Sequence, residues 1–427
     1  MGLLKINSVI SLFFLFTCHV GIAYPSDAVV SEKEIKSRIE FILNQLPVDT
    51  KTGLIIINPL TEDTIISINP SESMIPASNN KLFTTAAALD LMDGDFLLSV
   101  KLLTEDDDLN DGVINGNLYL KGFGNSTFTS YNLDSLVEII SAQKISAVTG
   151  NIVGDDSYFD DVYTRDDWIK DEKANVELPP VSAIVIDRNR KSYTTVRRGK
   201  IRNYYRFVDD PPLDAARTLY EKLKSKKINI KGTFIKGVSP SNINLLAESS
   251  VQLRELIKLI NKRSDNFMAE CLFKTLGAEY SGKQGNSFFA TQAIITFMKE
   301  NGIFSEGTSI VDGSGISRFD KVTPGAISRL MERMYFDLKN FDDFYNSLSI
   351  AGVDGTLSDR LIGTCAENNF RGKTGTLNGV SSLSGYLTTK SGDDLIITII
   401  FEFKRGGAKL HRDIQDKIIT ALCDYSI

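Results

Sequence analysis

The chain places a serine and a lysine three residues apart, Ser78-Asn79-Asn80-Lys81, directly after Pro76-Ala77 and at the head of an Ala- and Leu-rich stretch. Ser264-Asp265-Asn266 and Lys373-Thr374-Gly375-Thr376 follow far downstream. These residue types suit acyl transfer through a covalent serine intermediate. A serine hydroxyl is a poor nucleophile until a neighbouring base takes its proton. The sequence holds two histidines, His19 and His411, and the first lies in a segment expected to be removed. A Ser-His-Asp triad needs one well-placed imidazole and the common zinc sites need two or three, so hydrolysis here is expected to run without it. The base is then a lysine held neutral by burial and nearby cations, and Lys81 is the candidate. On a helix a spacing of three puts Ser78 and Lys81 on one face, within reach of one hydrogen bond.

The other motifs meet the remaining needs of the reaction. A helix start aims unpaired N–H groups and positive dipole at a developing oxyanion. The backbone N–H of Ser78 is the expected first donor and that of Thr376 the second. Ser264 can relay a proton between Lys81 and the leaving amine, and Asn266 can hold a substrate amide. Lys373 can bind a carboxylate with the Thr374 and Thr376 hydroxyls, across the small Gly375, and its charge helps keep Lys81 neutral. No metal or organic cofactor is needed for these steps. Two further matches lack the setting. Ser141-Ala142-Gln143-Lys144 has no Pro-Ala lead-in, and Lys51-Thr52-Gly53 precedes every candidate nucleophile.

The elements that must position these groups can be read from periodicity. Ile35, Ile39, Ile42 and Leu43 predict a helix over 31–46 that ends at Pro47. Leu54 to Ile57 and Thr64 to Ile68 read as paired strands, and Ser78 to Met92 as a helix. From about Phe96 the texture changes to short runs with many Gly, Asn and Asp turns, and a helix at Leu133 to Gln143. Helical spacing returns at Leu253 to Ile260 and at Phe267 to Leu276, with Ser264-Asp265-Asn266 in the tight connection between them. Val380 to Thr388 and Leu395 to Phe401 read as strands, the second suited to the centre of a covered sheet. Asp413 to Cys423 reads as a helix with Ile414, Ile418, Ala421 and Leu422 packed inward.

At 427 residues, 42% hydrophobic and 24% charged, the chain is globular and long enough for two or three domains. With 48 Lys and Arg against 54 Asp and Glu and no extended basic run, a nucleic-acid or anionic-lipid partner is not expected. Residues 1–23 read as a secretory signal peptide: Lys5, an apolar run from Val9 to Phe16, and Gly21-Ile22-Ala23 before the cut. The run is too short for a bilayer anchor, and Phe16 is too bulky for a lipoprotein site at Cys18. Cleavage leaves Cys271, Cys365 and Cys423, an odd number, expected to be buried or free thiols.

The three motifs in this order resemble those of serine β-lactamases and penicillin-binding proteins. Longer segments narrow the resemblance to the D-alanyl-D-alanine carboxypeptidase/endopeptidase family, the class C low-molecular-mass penicillin-binding proteins. They are Pro76 to Thr84, Asp312-Gly313-Ser314-Gly315 with Ser317-Arg318, Ala351 to Leu357 with Arg360, Gly372 to Leu377, Leu383 to Tyr386, and, between the first two motifs, Gly116 to Gly124 and Gly150 to Phe159. Asn125 stands where the family tends to carry Asp, and Leu178-Pro179-Pro180 replaces a run of smaller residues.

The resemblance implies an α+β fold: a helix-flanked antiparallel transpeptidase-like domain from residues 24–95 and 247–427, with an inserted β-rich region, 96–246, of one or two subdomains. It implies a periplasmic serine peptidase without a stable membrane anchor, acting on peptidoglycan stem peptides and D-alanyl cross-links and acylated at Ser78 by β-lactams. Two rivals remain. A class A β-lactamase would carry Glu-x-x-Leu-Asn between the second and third motifs, and none is found between Ser264 and Lys373. A catalytically idle peptidoglycan-binding protein would not need Ser78, Lys81, Ser264, Asn266 and Lys373 intact. The Asp312 to Gly315 segment is expected to be a structural turn near the site.

Overall fold

The computed structural model describes residues 31–107, 111–168, 178–197 and 199–425; the expected signal peptide lies outside them. The site is organised by a six-stranded, wholly antiparallel sheet in the order Ser349–Ile350, Arg371–Leu377, Val380–Thr388, Asp394–Glu402, Lys51–Ile57, Thr64–Ile68. The apolar run Leu395 to Phe401 lies inside this sheet, as expected, and its residues alternate between two cores because strand side chains alternate faces. Ile396 and Ile400 join the helices Asn80–Met92, Leu253–Arg263, Asn266–Ser281, Ser287–Glu300 and Pro324–Tyr335. Leu395, Ile397, Ile399 and Phe401 face Ile35 and Ile39 of helix Glu32–Leu43 and Ile414 and Ile418 of helix Gly407–Leu422. Coverage on both faces explains why this strand is apolar throughout rather than alternating.

Residues 97–252 build a second, five-stranded sheet in the order Phe234–Lys236, Ile152–Asp155, Leu118–Phe123, Leu97–Thr104, Asn244–Gln252. The chain leaves and re-enters side by side: the Leu253 N–H donates to the Phe96 carbonyl at 2.8 Å. This segment also carries the helices Ser130–Ala142 and Pro211–Ser225, whose Leu133, Leu136, Leu219 and Leu223 close a core of its own. Ile152–Asp155 runs parallel to both its neighbours, a pairing that needs crossover connections and so is invisible to a reading of hairpin turns.

The cysteine expectation is corrected. Cys365 and Cys423 form a disulfide that ties the loop before Arg371–Leu377 to the end of the last helix, and Cys271 is a buried free thiol. Among the described residues no helix is long and apolar enough to cross a membrane.

Candidate active site

Ser78 sits in a short 3-10 turn, Ala77–Asn79, that leads directly into helix Asn80–Met92. Ala77 is held at φ 49°, a left-handed conformation that costs a residue with a Cβ about 1–3 kcal/mol. The surroundings hold it there. Ser382 Oγ donates to the Pro76 carbonyl at 2.7 Å, and Asn79 Nδ2 donates to Ser384 Oγ at 2.9 Å, both on strand Val380–Thr388. On the other side Asn80 Nδ2 donates to the Asp312 carbonyl and Thr84 Oγ1 to the Gly313 carbonyl. The strand Arg371–Leu377 passes closest at Gly375, where a Cβ would stand 3.0 Å from the Ser78 nitrogen and 2.2 Å from Ser382 Oγ. Only glycine allows that approach.

Lys81 is fully buried, and its Nζ lies 3.0 Å from Ser78 Oγ, 2.6 Å from Asn266 Oδ1 and 2.6 Å from the Ser314 carbonyl. The expected one-bond reach from Ser78 to Lys81 is therefore met. A neutral amine has two N–H donors and one lone pair. The carbonyl oxygens of Asn266 and Ser314 accept the two donors, which leaves the lone pair to face the Ser78 hydroxyl. Burial lowers the Lys81 pKa to about 8, against the pull of Asp312, Glu270, Asp265 and Asp320, which favour the charged form.

Ser264 ends helix Leu253–Arg263 in the left-handed region, φ 53°, and Asp265 caps the next helix by accepting from the Met268 N–H. The connection between helices is as tight as expected. Its partners differ from expectation: Ser264 Oγ accepts from Lys373 Nζ at 2.9 Å, and the contact to Lys81 is made by Asn266. Lys373 is fully buried and also donates to the Thr374 carbonyl at 2.8 Å. Burial, and then the charge of Lys81, push its pKa well below the lysine range. Thr374 Oγ1 donates to Thr356 Oγ1 at 2.8 Å, and Thr376 is exposed on the cleft. Ser78, Ser264, Asn266, Thr374 and Thr376 thus line one cavity, with Lys81 and Lys373 beneath it and Gly375 against the Ser78 turn.

Several residues of the site carry no motif signal. Arg188 grips Asp265 through two hydrogen bonds, 2.7 and 3.1 Å, and lies over the Phe267 ring, so the Ser264 turn is held from the 97–252 segment. Beneath Lys81 lie three buried carboxylates. Glu270 accepts from the Gly313 and Ser314 N–H groups, and Asp312 from those of Ser314, Gly315 and Ser317. Asp320 accepts from Val311 and Asp312. The Asp312 to Gly315 segment is thus a turn, as expected, and its Ser314 carbonyl is one of the partners of Lys81. Only the four-residue spacing of Glu270 from Asn266, about one helical turn, points to Glu270 in the sequence. His411 is buried and stacked on Phe403, with its ring nitrogens on the Gly407 carbonyl and Thr50. Among the described residues no His, Cys, Asp and Glu cluster is arranged to hold a metal ion.

A helix-covered antiparallel sheet with a serine and a lysine against one of its strands defines a protein of the penicillin-binding and β-lactamase-like fold. Penicillin binding protein 4 of Haemophilus influenzae superposes with a TM-score of 0.78 at 24% identity, covering 90% of this chain and 98% of that one. The same protein complexed with a β-lactam superposes at 0.74. In sequence the chain belongs to the D-Ala-D-Ala carboxypeptidase 3 (S13) family, which it matches over residues 35–204 and 196–422. Relatives include the D-alanyl-D-alanine carboxypeptidase of Actinomadura sp. strain R39, 27% identical over 92% of this chain and 85% of that protein. The D-alanyl-D-alanine carboxypeptidase DacB of H. influenzae is 26% identical over 91% of each. The chain is accordingly an enzyme of the carboxypeptidase class.

Proposed function

We propose that this enzyme hydrolyses the bond between two D-alanines of peptidoglycan stem peptides, and the equivalent D-alanyl bond of cross-links, through an acyl-enzyme on Ser78. The observation that carries the reading is the set of three contacts at Lys81 Nζ, which leaves its lone pair to the Ser78 hydroxyl. Lys81 takes the hydroxyl proton as Ser78 Oγ bonds to the scissile carbonyl carbon. The Ser78 and Thr376 N–H groups stabilise the oxyanion, a contribution of about 3 kcal/mol for each such donor. The C–N bond then breaks, and Lys373 passes a proton through Ser264 to the departing nitrogen. A carboxylate on the leaving residue is held by Lys373, Thr374 and Thr376, and its charge favours the ammonium form of Lys373 that this transfer needs. Asn266 holds the substrate amide while its oxygen orients Lys81. Water then attacks the ester carbonyl, its proton passing through Ser264 to the neutral Lys373, while Lys81 returns its proton to Ser78 Oγ; the shortened peptide is released and both lysines regain their starting charge.

Residues 24–95 with 247–427 act as the acyl-transfer unit and 96–246 as the inserted region. The leader at 1–23 sends the protein to the periplasm, where stem peptides are exposed. β-Lactams, which imitate acyl-D-alanyl-D-alanine, acylate the same serine. Incubation with a stem peptide ending in D-alanyl-D-alanine should release one D-alanine per peptide in the parent and none in Ser78→Ala. Equal release by both proteins would overturn the assignment.

A further inference from the structure

A two-stranded antiparallel hairpin, Arg190–Arg197 and Lys200–Phe207, stands apart from both larger sheets. Each strand has eight residues, so the hairpin is about 25 Å long. Every described residue of it is exposed except the half-buried Phe207. Its root is held: the Val208 N–H donates to the Asn189 carbonyl, and Lys191 is bonded to Asp214 of helix Pro211–Ser225. Beyond the root its described hydrogen bonds run between its own strands.

Residues 190–207 hold seven Lys and Arg and no Asp or Glu, in a chain whose net charge is −6. The whole-chain balance, which argues against an anionic-lipid partner, averages this local excess away. The register sorts the side chains onto two faces, because residues paired across an antiparallel ladder share a face and neighbours along a strand do not. On one face Val196 pairs with Ile201, Ser192 with Tyr205 and Arg190 with Phe207. The Tyr205 and Phe207 rings lie 5.5 Å apart there, and Arg190 covers Tyr205. The opposite face carries Arg197, Lys200, Arg202 and Arg206, with Tyr193 stacked on Tyr204. Near the tip Val196 is 70% and Ile201 69% exposed. An apolar pair left bare there gains nothing from a soluble polyanion, which would engage the charges alone. A bilayer engages both kinds of residue. Apolar side chains enter the acyl boundary, Lys and Arg reach the headgroups along their own apolar stems, and tyrosines settle at the interface.

We propose that this hairpin is a reversible docking element for an anionic phospholipid bilayer. It lies in the bilayer surface with Val196, Ile201, Tyr205 and Phe207 facing the acyl chains and its basic residues among the headgroups. The hairpin starts two residues after Arg188, which grips Asp265, so its root is tied to the Ser264 turn and docking holds the cleft near the bilayer.

The test is co-sedimentation of the full chain with large vesicles, either pure phosphatidylcholine or with a third of the lipid replaced by phosphatidylglycerol. The parent should sediment with the anionic vesicles and not with the neutral ones, and raised salt should release it. A basic residue beside such a surface is worth about fivefold in partitioning, so Arg197→Ser/Lys200→Ser/Arg202→Ser should bind about 100-fold more weakly. Val196→Ser/Ile201→Ser keeps every charge and should bind at least about tenfold more weakly. Acylation of Ser78 by a chromogenic cephalosporin at the parental rate shows that both variants are folded. With no substitution at all, anionic vesicles should shield the bonds after Arg197, Lys200 and Arg202 from trypsin. Failure of the parent to bind anionic vesicles, equal binding to neutral ones, or cleavage of these bonds at an unchanged rate would overturn the proposal. So would parental binding by the triple variant. Binding that survives Val196→Ser/Ile201→Ser intact would make the hairpin a polyanion contact and overturn the bilayer as its partner.

Discussion

The rate of Ser78 acylation should follow the deprotonation of Lys81. Burial holds the Lys81 pKa at about 8 instead of 10.5. The neutral amine is the form that accepts the serine proton, so the rate rises with pH and levels off above the folded pKa. At pH 7 roughly a tenth of the enzyme carries neutral Lys81, and at pH 6 roughly a hundredth. An ordinary lysine would be neutral in about three molecules in ten thousand at pH 7. Burial thus raises the neutral, base-competent fraction about 300-fold at pH 7, part of which is offset by the weaker basicity of the same amine. Glu270, with its pKa pushed up to about 8 by burial and by Asp312, ionises over the same range and adds charge that favours the protonated lysine. The slope below pH 8 should therefore fall somewhat short of tenfold per unit. Single-turnover acylation by a chromogenic cephalosporin, followed by stopped flow from pH 5.5 to 10, reads this directly. A flat profile, a fall with rising pH between 6 and 8, or a rate that still climbs tenfold per unit from pH 9 to 10 would refute a buried Lys81 of lowered pKa as the base.

The raised pKa of Glu270 means that the folded carboxyl binds its proton more tightly than the unfolded one. Its contribution therefore lowers stability as pH climbs from about 4.5 through 8. Glu270→Gln keeps an acceptor for Gly313 and Ser314, so its Tm relative to the parent should rise by several degrees between pH 5 and 9; a constant offset in differential scanning fluorimetry would contradict this. Gly375→Ala forces a methyl against Ser382 Oγ, the Pro76 carbonyl and the Ser78 nitrogen. Acylation in the same stopped-flow assay should slow at least about 100-fold, and a parental rate would show that the close approach is dispensable. The disulfide closes a separation of 58 residues, which corresponds to about 4 kcal/mol. Cys365→Ala should lose about 5–10 °C in Tm while acylating at the parental rate at 25 °C, and reductant should lower the parent but not the variant.

Elements with strong local periodicity were legible. Val380–Thr388 has the bounds its pattern implies, and the apolar run from Leu395 lies between two covered faces. Ser78 and Lys81 were legible as a pair because helix geometry alone brings positions three apart together. What was not legible depends on partners distant in sequence. Nothing local says that Ser264 will meet Lys373 while Asn266 meets Lys81, or that Arg188 will hold Asp265 from the other sheet. Nor does an odd count of cysteines choose Cys365 and Cys423 over Cys271. The strain at Ala77 was hidden for the same reason: the residue is an ordinary helix former, and only packing against Ser382, Ser384 and the 312–315 turn holds it left-handed. Helix Pro211–Ser225 carries its own start signals, the Asp210 cap and two opening prolines, but lies in a turn-rich stretch that masks its periodicity.

The most direct test of the central claim is labelling of the full chain and Ser78→Ala with a fluorescent penicillin, followed by gel and by intact and peptide mass. The parent should gain one opened β-lactam per chain, on the peptide that contains Ser78, and lose it slowly; Ser78→Ala should gain none. An adduct on Ser78→Ala, no adduct on the parent, or consumption of penicillin through many turnovers would contradict the account.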